Sequence, residues 1–306
     1  MTSLLKPEYR RPALWAVIAG LGLLIVAVLL ARWFRATDGG VAFLEQYPGE
    51  TPLPAGTPVG FPWWLNAQHF LNAFFIVLIA RTGWLVRTTQ RPAAYWTRNN
   101  RGLFRTKGEP RKISLDLWLH QTLDVLWAVN GLIFVVLLFT TGQWARLVPT
   151  TWEVIPNAAS AALQYASLNW PHENGWVNYN SLQQLAYFTV VFIAAPLAIL
   201  TGIRMSNAWP GPRARISKLY PLAIARALHL PTMYFFVAFI IVHVTLVLTT
   251  GALRNLGHMY AATDVEGWTG LAMFALLIVI TVLAWFMAKP AFLQPLASIG
   301  GKVTRQ

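Results

Sequence analysis

The chain has 306 residues, 56% hydrophobic and 11% charged, with a net charge of +13 and no cysteine. So apolar a composition excludes a soluble domain of this length, and the lack of cysteine excludes disulfides, iron–sulfur clusters and covalent C-x-x-C-H haem attachment. Nor is the charge a nucleic-acid footprint, because the basic residues collect between apolar segments, as membrane topology requires.

Six apolar segments approach the ~20 residues that a bilayer demands: 13–34, 63–86, 115–142, 182–204, 230–250 and 268–288. They predict an all-α integral membrane protein, a single membrane domain over 1–306. Lys6, Arg10 and Arg11 precede the first segment. Its apolar run to Ala31 is longer than a signal-peptide core and no small-x-small cleavage site follows, so it is expected to be an uncleaved helix. Segment 47–62 (YPGETPLPAGTPVGFP) is dense in proline and glycine and predicts an extended loop.

The second segment carries His69, with Asn66, Gln68 and Asn72 around it. After it come Arg87, Arg91, Arg98, Arg101, Arg105, Lys107, Arg111 and Lys112. The third segment carries His120 and Asp124. Loop 143–180 has Arg146 as its only cation, and its Trp152, Trp170 and Trp176 suit a membrane interface. The fourth segment has no histidine and leads to Arg213, Arg215, Lys218 and Arg226. The fifth carries His243, with His229 at its start just before Pro231, a position where proline is tolerated. His172 and His258 fall in outer loops and are expected to be solvated, the alternative being a redox or quinone role. Loop 38–61 has no Lys or Arg. The positive-inside rule therefore places both termini and the two basic loops in the cytoplasm.

His229 and His243 stand 14 residues apart. At 3.6 residues per turn they lie within about 40° of one helix face, roughly 21 Å apart along the axis. The bilayer core is about 30 Å thick, so one imidazole stands near each side. Following the chain direction through each segment, His120 falls at the inner level with His229, and His69 at the outer level with His243. Iron in a b-type haem takes one neutral imidazole from each side. The depths thus predict two haems, His120/His229 inner and His69/His243 outer.

Other residues fall in with these levels. Gly83 is 14 residues after His69 and Gly131 is 11 after His120; each leaves space at a haem level or simply lets helices pack. Arg87 and Arg254 are candidate partners of the inner and outer haem propionates, or else ordinary topological and loop charges. Asp124, one turn beyond His120, is a satisfied polar contact, a proton carrier for quinone chemistry or a hydrogen-bond partner for His120.

One helix with two histidines 14 apart, single histidines on two earlier helices and a ligand-free helix between them resembles the prokaryotic di-haem cytochrome b group. That group includes the membrane subunits of formate dehydrogenase and nickel–iron hydrogenase, and bacterial cytochrome b561. The motifs "NAQHFLNAFF", "LWLHQTLD" and "ARALHLP…FIIVHV" carry the resemblance over roughly residues 60–255. It implies a four-helix haem bundle made of the second to fifth helices, with 13–34 and 268–288 as additional helices. It further implies a bacterial cytoplasmic membrane, quinone as substrate, and an extrinsic oxidoreductase, of molybdenum-cofactor or hydrogenase type, docked on the outer face. No cysteine cluster, G-x-G-x-x-G or P-loop supplies a substrate site in this chain itself. A free-standing cytochrome b561-like quinone reductase and a haem-free proton-coupled transporter are the alternatives.

Overall fold

Six helices among the described residues are long and apolar enough to cross a bilayer: Arg11–Arg35, Trp63–Thr88, Leu115–Thr140, Ser181–Met205, Leu222–Thr249 and Trp268–Met287. They belong to a computed structural model that describes residues 7–100, 109–171, 174–206, 208–210 and 214–305. Lys6, Arg101, Arg105, Lys107, His172 and Arg213 lie outside the described residues.

In chain order the elements are α1 (Pro7–Arg35), α2 (Asp38–Gln46), α3 (Trp63–Thr88), β1 (Ala94–Arg98), β2 (Ile113–Ser114) and α4 (Leu115–Thr140). After a 3₁₀ turn at Gln143–Arg146 come α5 (Val154–Ala166) and α6 (Ser181–Phe188). A π-helical turn at Thr189–Ala194 leads into α7 (Ala195–Met205). Then follow α8 (Arg215–Leu219), α9 (Leu222–Thr249), α10 (Ala252–Ala261), α11 (Trp268–Met287), α12 (Pro290–Gly300) and β3 (Gly301–Arg305).

The chain forms two compact units, one of residues 1–57 and 143–188, the other of 58–142 and 189–306. In the first, α1 packs on α2 and α5, and α5 on α6. Arg32 Nε donates to Ser167 O (3.0 Å) and Arg35 Nη1 to Ser167 Oγ (2.7 Å), tying the end of α1 to the end of α5. The extended loop expected from 47 onwards is present and anchored: Gly49 N donates to Asn157 Oδ1 (3.0 Å), and Ser181 N to Gly49 O (2.8 Å). Gly49 adopts φ +110°, which favours glycine. Arg146 is 1% exposed; it donates to Gly175 O and lies 4.8 Å over the Tyr179 ring.

The second unit holds the helices that carry the histidines. α3 packs along α4 and α7 along α9, with α10 and α11 against α3. The packing centre is a cluster of Trp127, Ala194 and Phe236, surrounded by Phe75, Ile76, Ile79, Val190 and Ile199. Trp127 and Phe236 meet edge to face at 6.0 Å. Each is seven residues from a histidine of its own helix, Phe236 from both His229 and His243. This apolar layer therefore lies midway between the two histidine levels.

Two features depart from the sequence-based expectation. Helix α9 begins at Leu222, not near 230, so His229 stands in its second turn and Pro231 lies inside the helix. Pro221 at the N-cap supplies the start, and apolar neighbours keep the backbone helical past a proline that removes one hydrogen bond. Secondly, the all-helical architecture carries a small antiparallel sheet in the order β2-β1-β3, in which Ala94 pairs with Arg305 and Arg98 with Gly301. The α12 face and Trp96 cover it, with Trp96 Nε1 donating to Ala297 O (2.9 Å).

Candidate functional site

The four histidines assemble as two pairs in the second unit. His120 is the sixth residue of α4 and His229 the eighth of α9, both near the ends joined to the basic segments. Their ring centroids are 6.4 Å apart. Towards the other end, His69 of α3 and His243 of α9 stand 6.3 Å apart. A metal–nitrogen bond is about 2 Å, so two imidazoles facing across one iron have centroids about 6 Å apart. Both pairs meet that requirement, with their ring planes inclined at 86° and 56°.

The surroundings of the first pair are specific. Thr82 Oγ1 lies 3.0 Å from His120 Nδ1, and Thr201 Oγ1 lies 2.7 Å from His229 Nδ1. Each threonine precedes a glycine: a Cβ on Gly83 would stand 3.1 Å from His120 Cε1, and one on Gly202 3.7 Å from His229 Cε1. Asp124 Oδ2 is 3.6 Å from His120 Nε2, beyond hydrogen-bond length. Thr82 is thus the side chain at His120 Nδ1, and the backbone of Ile79 also interacts with the ring.

At the second pair, His243 stacks on Phe239 (5.4 Å, 7°) and His69 meets the edge of Tyr260 at 5.4 Å. His69 Nδ1, Asn66 Oδ1 and Gln68 Oε1 are buried with no hydrogen-bond partner. Asn66 Nδ2 reaches His258 O (3.0 Å), and Asn72 Oδ1 accepts from Trp127 Nε1 (2.6 Å). The polar residues flanking His69 thus go partly to interhelical ties.

The remaining candidates are scattered. Arg87 is exposed in the last turn of α3. Arg254 sits in α10, its Nε 3.9 Å from Asp264 Oδ1. Around Gly131 there is open space, with no atom within 4 Å of an added Cβ. His258 overturns an expectation: it is 4% exposed, with Nε2 at 2.7 Å from Asp264 Oδ1 and its ring stacked on Phe61 at 5.8 Å. Formation of α10 within the presumed loop is the reason, since it turns His258 inward.

Thr82, Thr201 and Gly202 are the site residues that sequence reasoning missed. The sequence did offer a signal: "RTGW" and "LTGI" repeat one Thr-Gly pair near the same end of two spans.

A family model described as prokaryotic cytochrome b561 matches residues 60–261, which include all four paired histidines. The chain belongs to that family, whose members are all-helical membrane proteins that bind b-type haem and transfer electrons. No curated protein and no solved structure matches it.

Proposed function

We propose that this prokaryotic cytochrome b561 carries two b-type haems and passes electrons across the membrane between an extrinsic oxidoreductase and the quinone pool. The observation behind it is the two pairs of facing imidazoles, at 6.3 and 6.4 Å. Their α9 members are separated by 14 residues, about 21 Å of helix. His120 and His229 would hold one haem, His69 and His243 the other. Haem supplies one-electron iron chemistry at each level.

The chain contributes binding, orientation and dryness. Imidazole nitrogens approach from α3, α4 and α9, and the Trp127–Phe236 layer keeps water from the space between the levels. Asp124, 3.6 Å from the His120 ring, is placed to carry a proton for quinone chemistry at that level. Arg87 and Arg254 are the basic side chains assigned to the propionates and Gly131 the residue giving haem clearance, whereas Gly83 makes room for the His120 ring. The basic segments adjoin the His120/His229 level, which supports its lying on the cytoplasmic side of a bacterial inner membrane with both termini inside. The extrinsic oxidoreductase would then dock on the outer face, as the resemblance to dehydrogenase and hydrogenase membrane subunits implies. Family membership sets aside the haem-free transporter.

A dithionite-reduced minus oxidised spectrum with a pyridine haemochrome count tests the proposal. Two b-type haems per chain are expected; one or none overturns it. Purification from the native membrane separates a complex subunit, which brings an enzyme with it, from a free-standing quinone reductase, which does not.

A further inference from the structure

His120 and His229 differ from His69 in what holds the Nδ1 nitrogen. Thr82 Oγ1 lies 2.8 Å from Leu78 O and 3.1 Å from Ile79 O of its own helix. Thr201 Oγ1 lies 2.7 Å from Leu197 O and 3.0 Å from Ala198 O. A carbonyl oxygen only accepts, so the single proton of each hydroxyl is committed to its own backbone. What each oxygen turns towards the imidazole is a lone pair, at 3.0 Å from His120 Nδ1 and 2.7 Å from His229 Nδ1. That lone pair accepts a hydrogen bond when Nδ1 carries the ring proton. A neutral imidazole carries one N–H, which leaves Nε2 as a bare donor on both rings.

The glycine after each threonine lets the ring lie against the helix, its Cε1 3.1 Å from a Cβ on Gly83 and 3.7 Å from one on Gly202. Ring tilt and tautomer are thereby set together, by the same dipeptide on two different helices. At the other level, His69 Nδ1 is buried and lacks any hydrogen-bond partner.

We infer that Thr82–Gly83 and Thr201–Gly202 are positioning devices that present His120 and His229 to iron through Nε2, and that they set the potential of that haem apart from the other. The inference rests on the di-haem reading above. An acceptor on Nδ1–H makes imidazole a stronger donor, which favours the oxidised iron and lowers the midpoint potential.

The test is an optical redox titration of the purified protein, with haem content, for wild type, Thr82→Val, Thr201→Val, the two Thr→Ser variants and Asp124→Asn. In each valine variant one haem component moves to higher potential and its site loses about tenfold in haem affinity, the scale of losing an outer-shell partner. The second component stays in place and reports an intact fold. Serine, which keeps the hydroxyl, restores the wild-type value. The inference is overturned by valine variants with both midpoints and haem content unchanged, or by serine variants shifted as far as valine. A shift in Asp124→Asn without one in Thr82→Val also overturns it. The two readings fail differently: a wild type with fewer than two haem components refutes the functional proposal, and this inference with it, before any variant is made.

Discussion

Gly83 approaches His120 so closely that a Cβ on it would stand 3.1 Å from the imidazole Cε1. This is tighter than an ordinary van der Waals contact, and the ring cannot retreat without lengthening the Thr82 hydrogen bond at 3.0 Å. Gly83→Ala is therefore expected to fold and to bind haem at both levels, with a perturbed spectrum for one component. Gly83→Leu overpacks the contact at a cost of about 1–3 kcal/mol, and is expected to lose the His120/His229 haem while keeping the other. A haemochrome count on the two variants checks this; two haems in Gly83→Leu would show that the contact is slack.

The pairing itself makes a stronger prediction. His69→Ala and His243→Ala should remove one and the same spectral component, and His120→Ala and His229→Ala the other. Each single substitution should lower the haem count from two to about one, because bis-imidazole ligation fails when either side is lost. Low-temperature difference spectra of the four variants decide it. A component missing in both His69→Ala and His120→Ala, but present in the α9 variants, would contradict the pairing.

Much of this arrangement is legible in the string because helical geometry and hydropathy act over long, regular segments. The 14-residue spacing on α9 and the direction of each span suffice to bring His120 to His229 and His69 to His243. What escapes depends on contacts that no local pattern encodes. Thr82 and Thr201 look like any span threonine bonding to its own helix, and only the meeting of α3 with α4 and α7 with α9 gives them a histidine. The sheet joins Ala94–Arg98 to Gly301–Arg305, more than 200 residues apart. Pro231 suggests a helix start because proline favours first turns, yet the helix begins earlier at Pro221. His258 reads as solvated from the sequence because a short amphipathic helix such as α10 is hard to tell from a loop.

Stability of the first unit should depend heavily on Arg146. The side chain is 1% exposed, donates to Gly175 O and lies over Tyr179. Truncation to alanine removes a charge-assisted hydrogen bond and a desolvated cation–π contact, together about 2–4 kcal/mol. Arg146→Ala is expected to lower the thermal midpoint in detergent while leaving the haem spectra unchanged, since Arg146 belongs to the unit that carries none of the paired histidines. Altered haem spectra in that variant would refute the separation.

The same contact predicts an alkaline transition. Burial pushes the Tyr179 hydroxyl above its usual range, and the Arg146 guanidinium opposes the shift without cancelling it. Below about pH 10 tyrosine is protonated in both the folded and the unfolded chain, so its contribution to stability is fully present. Above that pH the unfolded chain releases the proton first, binds fewer protons than the folded one, and is favoured by up to about 1.4 kcal/mol per pH unit until the folded value is reached. Thermal unfolding followed from pH 8 to 11 should therefore show a midpoint that falls more steeply above pH 10. Tyr179→Phe should flatten that limb. In Arg146→Ala the window should extend to higher pH, because the cation that favours the phenolate is gone. An equally steep limb in Tyr179→Phe would assign the transition to another group.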